Sequence, residues 1–378
     1  MGWNSWNKFG CNVSEDLIKK NPDLVHRFGQ QAEAAVEDAR ERVAAVLNCR
    51  AEEIVFTSCG SESDNLALRG CLLAMREQNE AGWLLTSRSE HHAVSKTAEQ
   101  LARAYGIQLE WLPVDEFGRV SPQAVEAVLK GHTPALVSVM YANNEIGTIN
   151  PIREIAEVCH AAGAFLHTDA VQAAAYLPVD VQALEADLLS LGAHKFYGPK
   201  GVGALFVRKG TPLLPAQTGG KQEFGLRAGT HNVPYLVGLA EALHLTAMER
   251  GERCAHVQPL RDRLIGRVLE ELPGSRLTGH PEKRLPNHAS FVFEGVDGNL
   301  LLALLDAAGF ACSSGSACKT GNPEPSEVLT ALGLSREWAL GSLRLTLGTQ
   351  STPAEIDAFI EALPALVRKA RSLRTVGA

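Results

Sequence analysis

The sequence predicts an α/β protein: a mainly parallel sheet covered on both faces by helices, followed by a smaller α+β domain. Three observations predict it. From about residue 31, helix-spaced and strand-like stretches alternate. The strand-like stretches are short continuous runs of Val, Ile and Leu, the way strands buried on both faces read. Near residue 250 the alternation gives way to a long polar helix and a different order of elements.

The elements follow in order. "QAEAAVEDARERVAAVL" spaces its apolar residues as one helix face, and "EEIVFTS" is a short buried strand. "ESDNLALRGCLLAMREQ" is a helix, "GWLLTS" a strand, "AVSKTAEQLARAYG" a helix and "IQLEWLPV" a strand. Then come "SPQAVEAVLK" (helix), "PALVSVMY" (strand), "IREIAEVCHAAG" (helix) and three strands, "AFLHTDA", "ADLLSLGA" and "GALFVRKG". Beyond residue 250, "CAHVQPLRDRLIGRVLEEL" is the polar helix. It leads to "PNHASFVFEGV", another helix, a cysteine-bearing loop and "SLRLTLG". No internal repeat or low-complexity linker interrupts this order. In an open parallel sheet, functional groups belong in loops beyond the carboxyl ends of the strands.

Composition narrows the function. The chain of 378 residues is long enough for two domains. A net charge of −7 gives no reason to expect nucleic acid or an anionic membrane as partner. No apolar run reaches the roughly 18 residues of a membrane span. "MGWNSWNKFG" lacks the apolar core of a signal peptide. The eight cysteines, at positions 11, 49, 59, 71, 159, 254, 312 and 318, contain no CxxC pair. That argues against a metal site or a disulfide framework and for reduced thiols in the cytoplasm.

Four stretches at strand ends carry chemistry. "TSCGSESDN" ends a strand and opens a helix at Gly60 and Ser61, where free N–H groups suit an anion or simply a capped helix. Lys195 in "LSLGAHKFYGPKG" either reaches solvent or forms a Schiff base. Asp169 in "FLHTDAVQA" needs a cation, which a salt bridge, a helix N-cap or a protonated pyridine would each supply. His91 in "SEHHAV" and Asn143 and Asn144 in "YANNEIG" read singly as a core histidine and turn residues. Together, an anion cradle, a carboxylate, a lysine and a histidine are what pyridoxal 5′-phosphate (PLP) needs for its phosphate, ring nitrogen, aldehyde and ring face.

From about Asn21 onward the chain resembles the cysteine desulfurases of the NifS/IscS type, class V members of the aminotransferase superfamily. The matching stretches are "HRFGQQAEAAVEDAR", "EIVFTSCGSESDNLAL", "SEHHAV", "NNEIGTINPI", "HTDAVQA", "AHKFYGPKGVGALFVRKG", "GLRAGTHNVP", "SSGSAC" and "SLRLTLG". The resemblance implies PLP fold type I, with a mainly parallel seven-stranded sheet in the large domain. It divides the chain into an atypical segment 1–20, a large PLP-binding domain 21–250, and a small C-terminal domain 251–378 carrying the cysteine loop. It implies that Lys195 carries the cofactor as a Schiff base, that Asp169 pairs with the pyridine nitrogen and that Gln172 bonds the ring hydroxyl. His91 would stack on the ring and transfer protons. Gly60, Ser61 and His194 would hold the phosphate, joined by Thr230 from the second subunit of a homodimer. Asn144 lies among the cofactor residues and, with Arg344, would bind the substrate carboxylate.

Cys318, in the small flexible loop "CSSGSACKTG", would be the nucleophile. It would take sulfur from L-cysteine as a persulfide, release L-alanine, and deliver the sulfur to an acceptor such as an iron–sulfur scaffold or a thio-modification partner. Cys312 would be a packing residue or a second sulfur relay. A selenocysteine lyase, another class V PLP lyase, or an inactive sulfur-assembly partner are the alternatives; "SSGSAC" favours the desulfurase.

The chain departs from that pattern in places. The family's opening strand and turn, roughly "YLDxAATTP", do not occur. Residues 1–20 instead resemble the start of a family 27 α-galactosidase, although nothing later matches that barrel. Gly192 stands where relatives often carry a serine, and Thr349-Gln350 replaces a turn that usually contains arginine.

Overall fold

The structure, a computed structural model, describes residues 27–78, 82–132, 134–315 and 324–376. They fall into two compact units. The larger takes the chain up to Pro113, Val120–Tyr141 and Pro151–Arg250; the smaller takes Val114–Arg119, Ala142–Asn150 and the chain from Gly251 on. A single cut in the chain does not describe this division, because two short segments, 114–119 and 142–150, group with the smaller unit.

The larger unit begins with α1 (Arg27–Leu47), β1 (Ile54–Thr57), α2 (Gly60–Glu77), β2 (Trp83–Ser87), α3 (His92–Tyr105) and β3 (Gln108–Leu112). It continues through α4 (Pro122–Leu129), β4 (Ala135–Ser138), α5 (Ile152–Ala161), β5 (Phe165–Asp169), α6 (Val181–Leu184), β6 (Leu188–Gly192) and β7 (Gly203–Val207). Local signals set these bounds. Ser121 caps α4 through the Ala124 N–H with Pro122 in its first turn, and Gly106 ends α3 at φ 67°. Leu66, Leu72, Val94 and Leu101, from α2 and α3, pack on Leu84 and Leu136 of the sheet.

The seven strands lie in the order β1-β7-β6-β5-β4-β2-β3. Pairs β2/β3, β2/β4, β4/β5 and β5/β6 are parallel, and β7 runs antiparallel to both β6 and β1. The reversal has a simple cause. A parallel return needs about a dozen residues or more, and the link from β6 to β7 is shorter than that. It turns back through Tyr197 and Gly201, both at positive φ. Gly203 then fits where a side chain would strike Leu191 O and Thr57 Oγ1, at 2.7 and 2.8 Å. Edge strand β3 alternates in exposure, unlike the buried inner strands. Because β1 and β6 both oppose β7, the carboxyl ends of β1, β2, β5 and β6 share one edge of the sheet.

Helix α7 (Val233–Glu271) is 39 residues long and contains Pro259. The polar helix expected after residue 250 is thus the second half of one that starts earlier. In the smaller unit follow β8 (Ser275–Leu277), β9 (His288–Phe293), α8 (Gly298–Ala307), α9 (Glu327–Ala331), α10 (Arg336–Leu340), β10 (Ser342–Thr346) and α11 (Pro353–Val376). Its strands form an antiparallel sheet, β10-β9-β8. Phe291, Phe293 and Leu343 from that sheet pack with Leu264, Leu301 and Phe359. No helix among the described residues is long and apolar enough to cross a membrane.

Candidate active site

The first group of site residues lies in the larger unit. After β1 the chain extends through Cys59, which makes no side-chain cap, and α2 opens at Gly60. The first N–H groups of a helix have no partner within it and attract anions. Gly60 is required by space, since a side chain there would meet Val171 Cγ2 at 2.6 Å. Gly192, ending β6, faces the Gly60 nitrogen, 3.3 Å from where its own Cβ would stand. Ser61 is exposed beside them. Glu62 accepts the Ser58 N–H at 2.6 Å and Arg227 Nε at 2.9 Å. Burial pushes its pKa up, but Arg227 and Ser58 outweigh that and hold it below the usual value.

Asp169 ends β5 and is only 4% exposed. Its Oδ1 accepts the Val171 N–H at 2.8 Å. Burial raises its pKa, while that N–H and the Lys195 ammonium lower it. Lys195 sits in a single 3-10 turn, Ala193–Phe196, directly after β6. Its charge is also felt by His91 and His194, whose pKa values partial burial lowers first and neighbouring cations lower further. His91 caps α3 through Nδ1, which accepts the Ala93 N–H at 3.1 Å. That fixes the tautomer, so the neutral ring carries its proton on Nε2. Gln172 is half-buried two residues beyond Val171's predecessor Ala170, at the start of the next turn.

Sequence reasoning missed the buried polar group beneath these residues. His167 joins Ser138 Oγ at 2.8 Å and Ser190 Oγ at 3.0 Å, and lies 3.6 Å from Asp64. Burial drives the His167 pKa down to about 3, so this is not an ion pair. Glu90 accepts the Met140 N–H at 2.9 Å and the Ser87 hydroxyl at 3.3 Å, and burial pushes its pKa up to about 8. Burial, and then the charge of Asp169, raise Asp64 as well. One oxygen of Asp64 and one of Glu90 are buried without a partner. Burial thus favours the neutral acid at both, leaving Asp169 as the member of the three with a cation at hand. The legible signal was Asp64 on the apolar stripe of α2, in register with Leu68 and Cys71.

Thr230 is exposed and lines a cavity of about 180 Å³ with Thr57, Ser58, Arg227 and His231. Its segment is tied to β1 by Glu223, which is buried and accepts from Arg40 Nη1 (2.7 Å), the Phe56 N–H (2.7 Å) and His231 Nε2 (2.6 Å). This grip holds Glu223 and Phe224 at φ 47° and 58°, where non-glycine residues are strained.

The second group lies in the smaller unit. Asn143 Oδ1 accepts the N–H groups of Glu145 (2.7 Å) and Ile146 (2.9 Å), making a tight Asx turn. This presents the Asn144 carbonyl to Arg344 Nη1 at 2.9 Å and to His288 Nε2 at 3.3 Å. The Asn144 side-chain oxygen is buried with no partner. Arg344 itself pairs through its backbone with Ser313. Burial lowers its pKa, opposed by Glu145. Cys312 packs against the small-unit core, and burial pushes its thiol up to about 11. Cys318 lies outside the described residues, as does the segment 1–20. Among the described residues no cluster of His, Cys, Asp and Glu could hold a metal ion.

The aminotransferase class-V family matches residues 16–359. The chain belongs to that family. As a class-V aminotransferase it is 44% identical, over 353 residues, to cysteine desulfurase IscS of Methanosarcina thermophila, covering 93% of this chain and 86% of that one. Among solved structures, a NifS-like protein superimposes with a TM-score of 0.88 at 33% identity, covering 98% of this chain and 96% of that one. SspA in complex with cysteine gives a TM-score of 0.77 at 32% identity, covering 93% and 97%. None of these matches supports the resemblance of residues 1–20 to an α-galactosidase. The larger unit fits the PLP expected of a class-V aminotransferase. The buried Asp169 carboxylate suits a pyridine N–H, the open first turn of α2 suits a phosphate, and Lys195 stands at the end of the adjoining strand.

Proposed function

We infer that the protein is a PLP-dependent cysteine desulfurase, converting L-cysteine to L-alanine and passing the sulfur to Cys318 as a persulfide. The observation that carries this reading is Asp169: a buried carboxylate at a strand end, within the electrostatic reach of Lys195 and on the same sheet edge as the anion-ready turn at Gly60. When bound, PLP supplies the electron sink that acidifies the Cα–H of an amino acid.

The remaining roles belong to the chain. Gly60, Ser61 and His194 hold the phosphate, with Thr230 from the partner of a homodimer. Gln172 bonds the ring hydroxyl, and Asp169 keeps the ring nitrogen protonated. Lys195 holds the cofactor and, with His91 through Nε2, moves the Cα proton. Asn144 and Arg344 hold the substrate carboxylate. The Cys318 thiolate attacks the substrate sulfur. An S–S bond forms, the C–S bond breaks with its electron pair left on carbon, and protonation of that carbon yields alanine. The acceptor is a second protein, such as an iron–sulfur scaffold, in the same cytoplasmic compartment.

The test is alanine and sulfide production from L-cysteine with added PLP and a thiol. Equimolar alanine and sulfide are expected. Cys318→Ser is expected to show the cofactor's spectral change on adding cysteine but to make little alanine. Absence of alanine from the wild-type protein with PLP bound overturns the reading.

A further inference from the structure

The smaller unit carries one polar cluster that these roles leave unused. Glu145 lies in the turn whose neighbour, Asn144, meets Arg344. Its carboxylate accepts the hydroxyl of Ser326. Ser326 is the N-cap of α9, and the same hydroxyl oxygen accepts the Leu329 N–H at 3.3 Å. The same Glu145 Oε2 stands 2.6 Å from where a side chain on Gly315 would begin. Gly315 in turn donates its N–H to Ser342 Oγ, and Ser313 pairs with Arg344 on the same strand, β10. One carboxylate oxygen therefore bonds residue 326 and lies close to residue 315, and these two residues flank the segment that contains Cys318.

We propose that Glu145 is a positioning residue that fixes the C-terminal anchor of the cysteine-bearing segment, Ser326, beside the turn that meets Arg344. The proposal rests on the desulfurase reading for the importance of Cys318, and on geometry for the clamp itself. A glutamate is suited to the task. It bonds the capping hydroxyl from the side opposite the helix N–H, so the N-cap rotamer has one choice. Burial raises the Glu145 pKa, while Ser326 and Arg344 oppose that rise.

The consequence is kinetic. Delivery of a thiol to a substrate sulfur depends on the position of both ends of its loop. Loss of Glu145 should therefore slow sulfur transfer without weakening substrate binding. Glu145→Ala and Ser326→Ala are each expected to lower kcat for alanine about tenfold, with KM for L-cysteine changed less than about threefold. The double variant should be no worse than the poorer single one, since the two residues act through one bond. Glu145→Gln keeps an acceptor for Ser326 and should retain roughly a third of the activity or more. Amide hydrogen exchange at residues 326–331 should quicken in Glu145→Ala, while bound PLP and its spectrum stay as in the wild type.

A rise in KM with kcat intact would assign Glu145 to substrate binding through Arg344 and overturn the proposal. Multiplying effects in the double variant, or unchanged exchange at residues 326–331, would overturn it too. If the wild-type protein makes no alanine, the desulfurase reading fails, and the exchange measurement still decides the clamp.

Discussion

The two units hold their functional groups by different means. In the larger unit, backbone topology does the placing. Asp169, Lys195, His91 and Gly60 each come within a few residues of the carboxyl end of a strand, and the sheet gathers those ends along one edge. In the smaller unit, side-chain bonds across long stretches of sequence do it. Arg344 reaches the Asn144 carbonyl across 200 residues, and Ser326 reaches Glu145 across 181. A topologically placed group tolerates change in its neighbours, because the sheet stays. A group placed by one or two hydrogen bonds depends on each of them.

The sharpest way to test that contrast is to remove a group the sheet places. Lys195→Ala is expected to fold, to bind PLP without the visible band of a lysine adduct, and to lose activity by about a thousandfold. A band that survives in that variant, located to another lysine by mass spectrometry after borohydride, would break the assignment.

Asp169→Ala should come next. The ring nitrogen loses its counter-ion, and activity should fall about a hundredfold, with the melting temperature little changed. Near-normal alanine formation would show that the buried carboxylate is structural only.

A smaller effect tests the neutral acids below. Glu90→Gln replaces a protonated acid by a neutral amide and should cost less than about tenfold in activity. Its signature is in stability against pH. The folded pKa of Glu90 is raised to about 8 from an ordinary value of 4.5. Its contribution is therefore complete below the ordinary pKa and is lost as pH rises through about 8. Glu90→Gln should flatten the wild-type decline across that window in thermal melts. An unchanged slope would mean that Glu90 is ionised when buried.

The smallest effect is expected at Cys312. Its raised thiol pKa and its packing make it a poor nucleophile, so Cys312→Ser should keep activity within about twofold. Persulfide found on Cys312 after a single turnover without reductant would contradict this.

The same contrast explains what the sequence could tell. Every strand-end group was legible, because "FLHTDA" and "LSLGAHK" announce an apolar strand that stops at a chemical residue. The mainly parallel sheet was legible for the same reason, and β7 departs only because its connection is too short to cross over. Asp64, Glu90 and His167 were harder to see. Each sits inside an element and shows only as a polar residue on an apolar face. Glu145 and Ser326 left no local trace at all, since their relation exists only once β9 and β10 have paired and α9 has docked. Cys318 is proposed from its motif and lies outside the described residues.

The order of strands has a consequence for how the molecule is made. Among the described residues, strand β1 pairs only with β7, about 150 residues later in the chain. Strands β2 through β6 can zip together as they leave the ribosome, each beside a near neighbour in sequence. The segment that opens α2 at Gly60 must wait, because its own strand has no place in the sheet until β7 has emerged and folded back on β6. The turn carrying Lys195 is the link that makes this fold-back possible. The phosphate cradle and the lysine should therefore mature together, as a late event of synthesis. Nascent chains stalled before about residue 210 are expected not to retain the cofactor, however complete their central strands.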